Sequence, residues 1–134
     1  MPLRVLVVED EFLIAMDLMD LIEEAGHVAI GSADTLESAV KLADQKQPDI
    51  ATMDLRLKDQ QSGAVVAKAL LEKFGVRSVF VSGNLDANTR AQIDALDPIA
   101  YVGKPIAQHL LRRALDEAEH SKSQRRQTRP SPDS

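Results

Sequence analysis

The chain contains no cysteine in 134 residues. That excludes a disulfide framework and any thiolate metal site, and it fits a reducing compartment. Long hydrophobic runs are also missing, and the longest apolar stretch falls far short of the ~20 residues that a membrane span needs. There is no basic start with a cleavage site, because the first apolar stretch runs directly into Glu9, Asp10 and Glu11. The histidines, His27, His109 and His120, show no metal-ligand spacing, and His27 and His120 are expected at the surface. No glycine-rich phosphate loop is present, and Ser82 has no His–Asp partner in the sequence that would suggest a hydrolase triad. These absences lead to the expectation of a soluble, cytoplasmic protein without membrane contact.

What is present is acidic. Net charge is −5, unevenly spread: Lys122, Arg125, Arg126 and Arg129 against Asp133 give residues 121–134 a net of +3, so the remainder carries −8. An acidic body repels phosphates, so direct DNA binding is not expected. Hydrophobic residues make up 44%, enough to fold one domain. The end, "SKSQRRQTRPSPDS", is polar, holds two prolines and lacks apolar periodicity. The division expected is a domain over 1–120 and a disordered, polar, basic tail over 121–134. A functional basic arm is the alternative. With so short a tail, no further domain of ~50 residues is expected within these 134 residues. Output is then expected to be a change in what this single domain touches.

Along the chain, strand-like and helix-like segments alternate. "LRVLVV" is a short strand, and "FLIAMDLMDLIEEAG" is a helix closed by Gly26. "HVAIGSA" is a strand, after which Asp34 and Glu37 suggest a capping box for a helix ended by Pro48. "DIATMD", "VRSVFVS" and "IAYV" are strands. "GAVVAKALLEKFG" and the weaker "DANTRAQIDALD" are helices, and "AQHLLRRALDEAEH" is amphipathic with Leu110, Leu111, Ala114, Leu115 and Ala118 inward. Five strand–helix units imply a parallel sheet with helices on both faces. In such sheets, ligands bind at the carboxyl ends of the strands.

Those ends carry a coherent set. The first strand delivers Glu9 and Asp10, the third Asp54, the fourth Ser82, and the fifth leads to Lys104. Taken singly, each has an ordinary reading: acids favour a helix N-terminus, and most lysines are surface residues. If the first and third strands are neighbours, three carboxylates converge, and a hard divalent cation, Mg²⁺, resolves their repulsion. A lysine and a hydroxyl nearby suit a phosphoryl group, so the chemistry indicated is phosphoryl transfer.

The motifs "VVEDE", "MDL", "VFVSG" and "YVGKP", in this order and each after a predicted strand, resemble the bacterial two-component response-regulator receiver domain over roughly residues 3 to 120. The resemblance implies a flavodoxin-like (βα)5 three-layer sandwich with strand order 2-1-3-4-5. It also implies that Asp54 is the phosphoacceptor, fed by a sensor histidine kinase or histidine phosphotransfer protein. Asp10, Asp54 and the main-chain carbonyl of Arg56 would hold Mg²⁺, with Glu9 acting through a metal-bound water. Ser82 would be the switch hydroxyl, Lys104 the cation on a phosphoryl oxygen, and Tyr101 the aromatic that turns inward once Ser82 moves. Pro105 matches the family's proline, often preceded by a cis bond. Such a domain catalyses only its own phosphorylation and dephosphorylation, and its downstream partner is unknown. Ser82 stands where threonine is commoner. Gly83 replaces the usual alanine, loosely as in the FAT GUY subgroup. Lys58 stands where proline is common, beside Arg56. A pseudo-receiver, binding partners without phosphorylation, is the alternative.

Two further expectations concern surfaces. In the first helix, Ile14, Leu18, Leu21 and Ala25 share one face, leaving Phe12, Met16 and Met19 nearly opposite at ~100° per residue. Phe12, Leu13, Met16 and Pro105 are therefore candidate docking residues for the phosphodonor, as the family's use of this helix also implies. The alternative is that the last helix covers them. The fourth helix offers only Ile93 and Leu96 as large apolar residues, which predicts that it and the preceding "SGNLD" form the mobile part.

Overall fold

A computed structural model of the chain describes residues 2–57, 61–83 and 86–128, with side chains of the last helix through Ser123. The order is β1 (Arg4–Val8), α1 (Phe12–Glu24), β2 (Val28–Ala33), α2 (Leu36–Lys46), β3 (Ile50–Asp54), α3 (Gly63–Phe74), β4 (Arg77–Ser82), α4 (Ala87–Asp94), β5 (Ala100–Gly103) and α5 (Gln108–Thr128). The strands form one parallel sheet, β2-β1-β3-β4-β5, the flavodoxin-like order expected.

Period-two alternation divides the core. Val5 and Val7 face α1 and α5, packing with Leu18, Ile22, Leu111 and Leu115. Leu6 and Val8 face the other way, toward the α2–α3–α4 side, with Met53, Val66, Leu70, Phe80 and Ile93. Both faces being covered, the central strands are apolar at nearly every position. Among the described residues, no helix is long and apolar enough to cross a membrane.

Several local expectations shift. The α2 cap is Thr35, not Asp34: Thr35 accepts from the Ser38 amide, and the Ser38 side chain accepts back from Thr35. Threonine and aspartate are both accepted N-cap residues, so the sequence pattern could not separate neighbouring positions. Pro48 does end α2, with Gln47 before it left-handed at φ 51°. In α1 the buried residues are Ala15, Leu18 and Ile22, with Ile14, Leu21 and Ala25 on the flank. The inward face is rotated by about one residue, which brings Met19 against the core instead of leaving it in water. Leu110 is 41% exposed, so among the described residues α5 turns in through Leu111, Ala114, Leu115 and Ala118.

His27 is buried at 4% exposure, not at the surface: its Nδ1 accepts the Leu3 amide at 2.9 Å, closing the start of β1. His120 is exposed. Finally, α5 continues to Thr128, eight residues past the boundary expected at 120. No glycine or proline interrupts 121–128, and Lys122 reaches back to Asp49 at 2.8 Å.

Candidate functional site

The register brings the carboxyl ends of the strands into line. Val8 pairs with Met53, Asp54 with Val81, and Ser82 with Gly103, so Glu9, Asp54, Ser82 and Lys104 emerge at one edge of the sheet. Glu9 stays in the ladder beyond β1, its amide donating to Ala33 O at 2.9 Å. Lys104 is tied to β4 in the same way, its amide donating to Ser82 O at 3.0 Å. Short strands ended by polar residues thus set the site on rigid backbone and leave the loops free to differ.

Lys104 Nζ lies 2.8 Å from Glu9 Oε1 and 3.3 Å from Asp54 Oδ2. Asp54 is buried, and its Oδ1 accepts the Arg56 amide at 3.2 Å. One oxygen each of Glu9, Asp10 and Asp54 lies within 4.8 Å of the others. Burial pushes the Glu9 carboxyl up to about 8; hydrogen bonding with Asp54 and its charge add to this, and Lys104 opposes it. For Lys104, burial pulls the ammonium down, but the bond to Glu9 and the charges of Asp54 and Glu9 outweigh it, so its pKa is raised. Three carboxyl groups thus share one ammonium in a poorly hydrated place. Glu9 Oε2 is buried without a hydrogen-bond partner, a costly state for a carboxylate oxygen. An all-oxygen donor set with an unpartnered buried oxygen fits a hard divalent cation such as Mg²⁺.

Two open spaces adjoin this edge. A cleft of about 350 Å³ is lined by Glu9, Asp10, Phe12, Ser32, Asp34 and Ser38 among others. A smaller cavity of about 150 Å³ lies beside Ser82, bounded by Leu55, Arg56, Ser62, Thr89 and Gln92. Phe12 and Leu13 are 74% and 78% exposed and Met16 47%. Phe12 therefore opens on the cleft that holds the acids, and α5 does not cover these residues. The Lys104–Pro105 bond is cis and Pro105 is exposed. Lys58 and Asn84 lie outside the described residues. Tyr101 points toward α4, where its hydroxyl donates to Asp94 Oδ1.

One residue that shapes this edge carries no such signal in the sequence. Gly63 opens α3 against the end of β3, its amide donating to Leu55 O at 3.0 Å. A Cβ there would stand 1.8 Å from Asp54 O and 2.8 Å from Leu55 Cα. The approach is possible only for glycine. In the sequence Gly63 follows a polar loop and looks like ordinary turn chemistry. By contrast, a Cβ at Gly83 would meet nothing within 4 Å, so the alanine usual in the family would fit there.

Comparison with known proteins agrees with the geometry. Residues 5–116 match the response regulator receiver domain. The chain is 42% identical over 83 residues to the phyllosphere-induced regulator PhyR of Methylorubrum extorquens, covering 61% of this chain and 31% of that protein. It is 32% identical over 109 residues to the transcriptional regulatory protein PdtaR of Mycobacterium tuberculosis, covering 79% of this chain and 51% of that protein. The chain therefore spans a third to a half of these relatives. Among solved structures, the signal receiver domain of a modulated diguanylate cyclase from Desulfovibrio desulfuricans superposes with a TM-score of 0.83 at 31% identity, covering 92% of this chain and 98% of that one. With the strand order, the acidic edge and the match over most of its length, this chain belongs to the response regulator receiver domain family of two-component signalling.

Proposed function

We propose that Asp54 accepts a phosphoryl group from the phosphohistidine of a sensor histidine kinase or histidine phosphotransfer protein, and that the product changes which proteins this domain binds. The observation carrying this reading is the convergence of Glu9, Asp10 and Asp54 within 4.8 Å, with Lys104 bonded to two of them. Asp10, Asp54 and the Arg56 carbonyl would hold Mg²⁺, with Glu9 acting through water. When bound, the ion supplies positive charge against the oxygens of the transferring group. An Asp54 oxygen attacks phosphorus along the line of the departing imidazole. The P–N bond breaks as the new P–O bond forms, and the imidazole leaves with the electron pair. Lys104, already at the Asp54 carboxylate, neutralises a phosphoryl oxygen, and Ser82 donates to another.

Positioning and charge account for the chemistry, and turnover extends to the domain's own phosphorylation and dephosphorylation. Phe12, Leu13 and Met16, exposed beside the cleft, together with Pro105, form the surface on which the donor docks. Tyr101 follows Ser82 inward, altering the α4–β5 face. Beryllofluoride with Mg²⁺, monitored by NMR, tests the reading: shifts should centre on Asp54, Ser82 and Lys104. A protein unmoved by beryllofluoride and unlabelled by acetyl phosphate would instead be a pseudo-receiver that binds partners without phosphorylation.

A further inference from the structure

Tyr101 is held from two sides by α4. Its ring stacks beside Phe80, its pair across the β4–β5 ladder, with centroids 6.3 Å apart and planes 24° apart. The Arg90 guanidinium carbon sits 4.8 Å from the ring centroid, and the hydroxyl donates to Asp94 Oδ1. Arg90 and Asp94 are four residues apart on α4, hence on one face. Asp94 is the last residue of that helix, whereas Ser82 precedes its start. The bond to Asp94 therefore directs the phenol to the C-terminal end of α4.

We propose that Asp94 and Arg90 form a clasp that holds Tyr101 turned away from Ser82 and fastens α4 in the unswitched arrangement. This rests on the reading of Ser82 and Tyr101 as the switch pair. Among α4 residues only Ile93 is buried, so few other contacts hold the helix down. To turn inward, the ring must leave the cover of Arg90 and the hydroxyl must give up Asp94. Because both partners sit on α4, freeing Tyr101 also releases the helix from the unswitched arrangement, so that it can repack and tighten in the switched one. Arg90 and Asp94 are positioning residues that act through Tyr101 without touching the phosphoryl group.

The chain holds one tyrosine and no tryptophan, so its ultraviolet emission reports Tyr101 alone. A carboxylate accepting the phenolic hydrogen quenches that emission, so Asp94→Ala should brighten the ligand-free protein. It should also speed amide exchange in α4, and do so no further in a Tyr101→Phe background. With the clasp gone, beryllofluoride with Mg²⁺ should bind ~2- to 10-fold more tightly, because less of the population is held back from the competent state. Unchanged emission, or an equal exchange effect in the Tyr101→Phe background, overturns the clasp. Unchanged beryllofluoride affinity overturns its coupling to switching. Binding to neither protein overturns the phosphoacceptor reading instead, and the emission and exchange results then decide the clasp by themselves.

Discussion

Gly63→Ala is a small change with a large predicted consequence. The added Cβ would lie 1.8 Å from Asp54 O, 2.7 Å from Asp54 C and 2.8 Å from Leu55 Cα. All three are backbone atoms, so no side chain can swing aside. A carbon–oxygen contact relaxes only beyond ~3.3 Å, so the start of α3 and the end of β3 must separate by more than 1 Å, which strains the 3.0 Å bond from the Gly63 amide to Leu55 O. Overpacking costs ~1–3 kcal/mol and the weakened hydrogen bond ~1 kcal/mol, so the sum is ~2–4 kcal/mol. At ~4 °C per kcal/mol for a domain of this size, Tm should fall by ~8–16 °C. Asp54 moves with its backbone, and a displacement of ~1 Å at a reacting group costs ~100-fold in rate. Thermal unfolding by circular dichroism and acetyl phosphate labelling measure the two effects. Gly83→Ala is the control, since a Cβ there meets nothing within 4 Å and Tm should hold. A Gly63→Ala protein that melts and labels like wild type would refute the packing argument.

Other perturbations separate the roles of the remaining groups. Phe12→Ala should slow phosphotransfer from the cognate protein donor while acetyl phosphate still labels at the wild-type rate; equal loss with both donors would place Phe12 in the fold or the pocket. Thr52 Oγ1 is buried with no hydrogen-bond partner, so Thr52→Val should raise stability by ~1–2 kcal/mol in urea unfolding, and a loss would show that the hydroxyl is satisfied in solution. Ile93 is the one buried residue of α4, and burying it supplies only ~2–3 kcal/mol. Residues 86–97 should therefore exchange amides faster than α3 and gain protection with beryllofluoride, and uniform protection without ligand would count against this.

The legible part of the fold was the part written locally. Short apolar strands ended by Glu9, Asp54 and Ser82, with Lys104 just beyond the fifth, point to both the sheet and the edge where these side chains gather, because parallel strands must present their ends together. Contacts distant in sequence were not legible. His27 looks like a surface residue until Leu3, 24 positions earlier, proves to need an acceptor. Gly63 looks like a loop residue until the Asp54 carbonyl proves to lie beneath it. The rotation of α1, which buries Ile22 and tucks in Met19, depends on where α5 packs, and ~100° periodicity alone does not set that angle. The span of α5 past residue 120 is hard to read from the sequence because a polar, basic composition suggests disorder, although no helix breaker stands between Gln108 and Pro130.

The central claim is that Asp54 carries the phosphoryl group, and it can be tested on the modified atom itself. Acetyl phosphate and Mg²⁺ are added, the protein is treated with borohydride to reduce any aspartyl phosphate to homoserine, and peptides are sequenced by mass spectrometry. Homoserine should appear at position 54 alone, and its formation should stop when EDTA removes the metal. In Asp54→Ala none should form. Homoserine at another aspartate, or label that survives in Asp54→Ala at the wild-type rate, would contradict the assignment.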